Sequence, residues 1–148
     1  LIIREIINFI PDNKATDVDC ALRFLNDAIK KRCAAFLISD FINVGEYQKS
    51  MSIANKKHDL TAIQVYDKRD SKMPNVGLIR VKDSETDLDC WIDTSSKRLR
   101  QIYDKAWYDQ QQKLNMTVAR CGVDIASIAT DEDYVKSLLG LFKKRSLH

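Results

Sequence analysis

The stretch CAAFLISDF, residues 33–41, is almost wholly apolar until it delivers one carboxylate, Asp40. The segments on either side of it read as helices. A strand apolar on both faces and flanked by helices is expected inside a parallel sheet, where crossover helices cover both faces. Such a strand has no use for a charge. In open parallel sheets the ligand crevice lies beyond the carboxyl ends of the strands, which is where Asp40 falls. The competing explanation is that Asp40 caps a turn or the next helix, but Gly45 and Glu46 lie too far along for direct N-capping.

Upstream, Ile2, Ile3, Ile6, Ile7 and Ile10 form a one-sided stripe on a helix from Leu1 to Ile10, which Pro11 ends. PDNKA, residues 11–15, is then a loop. Thr16 and Asp17 open a second helix, with Val18, Leu22, Leu25, Ala28 and Ile29 recurring at helical spacing and the basic run 30–32 suited to its negative end. Downstream, a helix over 46–57 leads to a second buried strand, LTAIQVYD, residues 60–67. The two strands and their helix make a βαβ unit, whose crossover is right-handed.

Residues 68–95 behave differently. VGLIRVKD alternates, turns through SETD and returns as LDCWIDT, a hairpin that faces Ile79 and Val81 toward Leu88, Cys90 and Ile92. Arg80 and Lys82 point the other way, toward Asp89 and Asp93. A long polar helix follows from Ser96 to about Val118, with Leu99, Ile102, Tyr103, Ala106, Trp107 and Leu114 as its inner stripe. GVDIASIAT supplies a third buried strand and residues 132–144 a closing helix. The expected architecture is a three-layer, doubly wound, Rossmann-like α/β fold with parallel strands near 34–39, 61–66 and 123–129. A hairpin is inserted near 77–93, and residues 1–148 form one domain.

Composition narrows the partners. The 148 residues are 45% hydrophobic and 30% charged, with 24 basic side chains against 21 acidic ones for a net charge of +3. The signs are interspersed, so neither nucleic acid nor anionic lipid is expected as a partner. The four cysteines show no CxxC pair, which predicts reduced thiols and a cytoplasmic location. No apolar run approaches the length of a membrane span, and LIIREIINFI carries Arg4 and Glu5 and lacks a cleavage site.

A companion for Asp40 is offered by TDVD, residues 16–19. Thr16 followed three residues later by an acid has capping-box-like spacing, and TDED at 130–133 repeats it before the last helix. What sets Thr16 apart is its pairing with Asp40. A hydroxyl and a carboxylate on adjacent loops are both oxygen donors of the kind Mg²⁺ takes.

TDVDCALRFL, FLISDF, KKHDLTAIQVYD, MPNVGLIRVKDSET and GVDIASIATDEDYVKSLLGLFKKR together resemble the C-terminal part of the domain-of-unknown-function 58 (DUF58) family. That resemblance implies a von Willebrand factor A-like domain. It also implies a non-enzymatic protein-interaction module in which Mg²⁺ bridges to a carboxylate on a partner, working with a MoxR-type AAA+ ATPase in the assembly or activation of other proteins. By this similarity Thr16 matches the second element of the metal-ion-dependent adhesion site and Asp40 the third. The first element, DxSxS, occurs nowhere in the sequence; the family pattern puts it upstream of Leu1, so a partial site with weak or absent metal is expected. The strand ending in Asp40 would then have an open outer edge, predicting self-association or cover by the N-terminal helix. Phe41, beside Asp40, is a candidate partner contact, and Trp91, on the wet face of the hairpin, is either covered by the long helix or presented to a partner, covering being the commoner outcome for a tryptophan.

Other constellations are present in the sequence. Asp40, Asp67 and Asp131 all follow strands and could converge on divalent cations in a nuclease or phosphoryl-transfer enzyme. Ser39, His58 and Asp67 contain triad chemistry without a GxSxG elbow. Asp40 is followed by Phe41 and Ile42, not by the second acid of an aspartyl-nucleophile phosphatase. A lone His58 between helix and strand is expected to interact with the helix dipole.

Overall fold

The computed structural model describes residues 2–10, 16–42, 45–82 and 89–145. In chain order the elements are α1 (Ile2–Asn8), α2 (Val18–Ala28), β1 (Ala34–Ser39), α3 (Gln48–Lys57), β2 (Asp59–Tyr66) and α4 (Lys68–Ser71). They continue as β3 (Leu78–Lys82), β4 (Asp89–Asp93), α5 (Lys97–Arg120), β5 (Asp124–Ala129) and α6 (Tyr134–Arg145).

Three strands form a parallel sheet in the order β1-β2-β5. Because the order advances one way and parallel crossovers are right-handed, α3 and α5 fall on the same face. On that face Leu37, Ala62 and Ile125 stand in register, packed with Val18 and Leu22 of α2, Met51 and Ala54 of α3, and Leu114 and Val118 of α5. The opposite face is covered by α6, where Phe142 meets Phe36 edge-on at 6.4 Å between ring centroids and Arg145 reaches Thr61 and Asp59.

β2 is buried without interruption from Leu60 to Gln64, as a central strand covered on both faces should be. β1 is different. Among the described residues it pairs only with β2, and it alternates half-buried Ala35, Leu37 and Ser39 with exposed Ala34, Phe36 and Ile38. The inner-strand expectation is therefore corrected: in the described sheet β1 is an edge. Its two-sided apolarity exceeds its burial. The alternative of cover by the N-terminal helix is corrected as well, since every residue of α1 is exposed and its isoleucine stripe joins no core among the described residues.

The antiparallel pair β3-β4 forms a separate two-stranded sheet with Ile79 opposite Ile92 and Val81 opposite Cys90, as the alternation predicted. Arg80 forms an ion pair with Asp89. Its base is pinned by buried Thr94, whose hydroxyl donates to Gly77 O at 2.6 Å and accepts from Val76 N at 3.0 Å. Gly77 takes φ +82, a conformation open to glycine and costly for other residues. PDNKA, the SETD turn and Leu88 lie outside the described residues.

Ser96 caps α5, accepting from Leu99 N at 3.3 Å. The inner stripe of this helix is fully buried only toward its C-terminal half, while Leu99 is half-buried and Trp107 packs on Tyr66 at 5.4 Å between ring centroids. Leu114 and Val118 are buried, whereas Ile102 and Ala106 are exposed and Tyr103 and Trp107 half-buried.

Candidate functional site at the carboxyl end of the sheet

α2 precedes β1 through a short connection and runs antiparallel to it. Its eleven residues span about 16 Å and the six of β1 about 20 Å, so the start of α2 stands level with the end of β1. Contacts agree with this placement. Val18 and Phe41 belong to one buried cluster, and Asp19 near the start of α2 accepts from Ser50 Oγ near the start of α3 at 2.5 Å. Thr16 and Asp40 therefore lie at the same end of the sheet.

The helix cap is Asp17, not Thr16: the Asp17 carboxylate accepts from Cys20 N at 2.8 Å. Asp19 likewise does not close a capping box. It ties α2 to α3 through Ser50 and pairs with Arg23 at 2.7 Å. Thr16 is exposed.

The turn after β1 is held from several sides. Ser39 Oγ accepts from Phe41 N and Asp40 Oδ1 from Ile42 N, both at 3.0 Å. Phe41 sits at φ +57, in the left-handed region that costs an L-residue about 1–2 kcal/mol. Its ring is 2% exposed and packs on Tyr47 at 6.1 Å, so burial offsets that strain. Two glutamines fix the backbone from behind. Gln64 Nε2 donates to Asp40 O at 3.3 Å and Gln110 Nε2 to Phe41 O at 2.8 Å. Gln64, fully buried on β2, also accepts from Ser127 Oγ at 2.9 Å, so both halves of its amide are satisfied.

The result is a rigidly placed backbone carrying an exposed carboxylate. Among the described residues Asp40 makes no ion pair, in contrast to the other strand-end acids. Asp67 caps α4 in a capping box with Asp70 and is gripped by Arg69, at 2.7 Å from Nη2. The Arg69 side chain and then its amide hold the Asp67 carboxyl down at about 2. Lys68 bridges Asp131 at 3.0 Å and Glu132 at 3.2 Å, and these two acids raise its ammonium pKa. Capping does not explain Asp131. Asp133 does that work for α6, accepting from Val135 N at 3.0 Å.

The expected partner contacts separate. Trp91 is 68% exposed on β4, presented to solvent and not covered by α5. Phe41 is core, so the contact role expected of it is corrected: the turn geometry that exposes Asp40 drives the next side chain inward. Ser39 and His58 lie at opposite ends of the sheet, since Ser39 pairs with Gln64 while His58 precedes Asp59, which pairs with Ala34. No triad forms from Ser39, His58 and Asp67.

Mg²⁺ requires about six oxygens in octahedral array near 2.1 Å. Thr16 and Asp40 offer one hydroxyl and one carboxylate, and no grouping of three or more His, Cys, Asp or Glu side chains suited to a metal occurs among the described residues. Two oxygen donors fall well short of a full magnesium shell. Gln64 and Gln110 were not anticipated as the turn's supports. A glutamine inside the apolar run LTAIQV was a readable signal; Gln110, within the polar helix, gave none.

The chain has a mixed α/β fold built on a parallel sheet, with the exposed carboxylate of Asp40 at the carboxyl end of β1. The chain belongs to the family described as Protein of unknown function DUF58, which matches residues 1–113 and so reaches from α1 into α5. It is 28% identical over 129 residues to an uncharacterized protein of Mycobacterium avium, covering 87% of this chain and 76% of that protein. Against an uncharacterized protein of Mycobacterium tuberculosis it is 26% identical over 131 residues, 87% of this chain and 40% of the relative. A Mycobacterium bovis relative matches to the same extent. The chain therefore spans well under half the length of these last two. No solved structure matches it. No helix among the described residues is long and apolar enough to cross a membrane.

Proposed function

We propose that the carboxyl end of the sheet is the docking face of a von Willebrand A-type interaction module. In this reading Asp40 and Thr16 contribute oxygens to a Mg²⁺ shell completed by groups beyond these two residues. The ion when bound supplies Lewis-acid attraction for a carboxylate on the partner. The protein's own part is positional: Gln64, Gln110 and buried Phe41 fix the turn, so Asp40 meets a ligand without reordering.

The observation that carries the proposal is the contrast among the strand-end acids. Asp67 and Asp131 are matched to Arg69 and Lys68, while Asp40 is exposed and without an ion pair among the described residues. The same contrast weighs against a metal-dependent nuclease or phosphoryl-transfer enzyme, because acids neutralised by adjacent cations are poor partners for a second cation. Four free thiols suit a reducing compartment, and we place the protein in the cytoplasm. A MoxR-type AAA+ ATPase is the proposed partner.

Immobilised ATPase of that type should bind the chain in Mg²⁺, lose it on chelation and lose it in Asp40→Ala. Binding indifferent to both changes would refute the proposal.

A further inference from the structure

At the amino end of the sheet, opposite the docking face, Cys33 and His58 form a second constellation. Cys33 immediately precedes β1 and His58 immediately precedes β2, so parallel pairing brings them side by side, with Asp59 N donating to Cys33 O at 2.8 Å. The Cys33 Sγ lies 3.4 Å from His58 Nδ1. The imidazole is fully buried, and its Nε2 has no hydrogen-bond partner among the described residues. An orphaned buried nitrogen is costly and calls for an explanation beyond packing.

His58 Nδ1 is within reach to accept the proton of that thiol. His58 closes α3, its amide donating to Ala54 O at 2.8 Å, which fixes the residue beside the start of β2. The adjacent acid, Asp59, is held by Arg145, and Lys57 is turned to Asn26 O. Cys33 Sγ is thus the group set against His58 Nδ1. Cys33 is half-buried.

We propose that Cys33 is a reactive thiol, activated by His58 and suited to exchange with low-molecular-weight disulfides. The thiol proton passes from Sγ to Nδ1, and the thiolate attacks one sulfur of the disulfide. A new Sγ–S bond forms as the old S–S bond breaks. The departing thiolate takes the proton back from His58 and leaves as a free thiol. The other cysteines provide internal controls. Cys20 and Cys90 are exposed, and Cys121 is buried with its thiol pKa pushed up by that burial.

The test is site-resolved mass spectrometry of the native chain under limiting oxidised glutathione. Cys33 should be modified on the order of tenfold faster than Cys20 or Cys90 despite its lower exposure, and the advantage should vanish in urea. His58→Gln, with its fold checked by circular dichroism, should bring Cys33 down to or below the rate of Cys20. If His58→Gln fails to fold, the native-against-urea comparison in the unmodified chain decides alone. Cys20 or Cys90 reacting as fast as Cys33 in the native chain, or a folded His58→Gln chain with Cys33 unslowed, would overturn the proposal.

Discussion

Gln110, midway along α5, donates from Nε2 to the backbone oxygen of Phe41 at 2.8 Å, joining the long helix to the turn that carries Asp40. Gln64 does the same for the preceding residue from inside the sheet. The turn's shape is therefore set by residues far away in sequence.

Removing either support should be felt in stability. Gln64→Ala strips partners from Ser127 Oγ and Asp40 O and opens space at a fully buried site, so a loss of about 1–3 kcal/mol is expected in urea unfolding. Gln110→Ala gives up one bond at a half-buried position and should cost about 1 kcal/mol.

Phe41 separates burial from backbone strain. Phe41→Ala should destabilise by about 3–5 kcal/mol, the usual range for a buried Phe. Phe41→Gly loses the same ring but meets φ +57 without a Cβ, so it should be more stable than Phe41→Ala by about 1 kcal/mol. Denaturant midpoints of the two variants give the order directly.

Asp67 sets an acid limit. Its folded pKa of about 2 lies below the ordinary carboxylate value near 4, so its contribution is present above pH about 4 and fades as pH falls toward 2. Arg69→Ala removes the main cause of the depression. The Asp67 titration followed by NMR should move up toward the ordinary value, and the chain should lose less stability than wild type between pH 4 and 2.

Among the described residues nothing pairs with the outer edge of β1, which predicts self-association. AAFLIS offers unpaired backbone groups with no charge, proline or bulge to discourage a second strand, and Phe36 and Ile38 are exposed. Sedimentation should show species larger than a monomer at micromolar concentration. Ile38→Lys, which places a charge on the exposed face of the edge, should shift the distribution toward monomer.

Much of this fold was legible because its signals are local. The bounds of β1, the hairpin register Ile79–Ile92 and the helical stripe of α2 follow from periods of two and of about 3.6 residues, which a sequence displays directly. The exposure of β1 was harder to read. A two-sided apolar strand reports the cover it is suited to, not the cover this chain supplies. The site was half legible for the same reason. Asp40 stood out as a charge closing an apolar run, but Phe41's inward turn rests on a single φ angle and the Cys33–His58 contact on a partner 25 residues away, while Asp17's displacement of Thr16 as cap is a choice between two adjacent candidates.

The account turns on Asp40 as the carboxylate left open for a shared cation. Mn²⁺, a paramagnetic stand-in for Mg²⁺, titrated into isotope-labelled chain while amide signals are followed, reads that directly. Broadening should centre on the amides of Asp40, Ile42, Thr16 and Asp17 at the carboxyl end of the sheet and disappear in Asp40→Ala. Broadening centred on Asp131 to Asp133, or unchanged by Asp40→Ala, would contradict it.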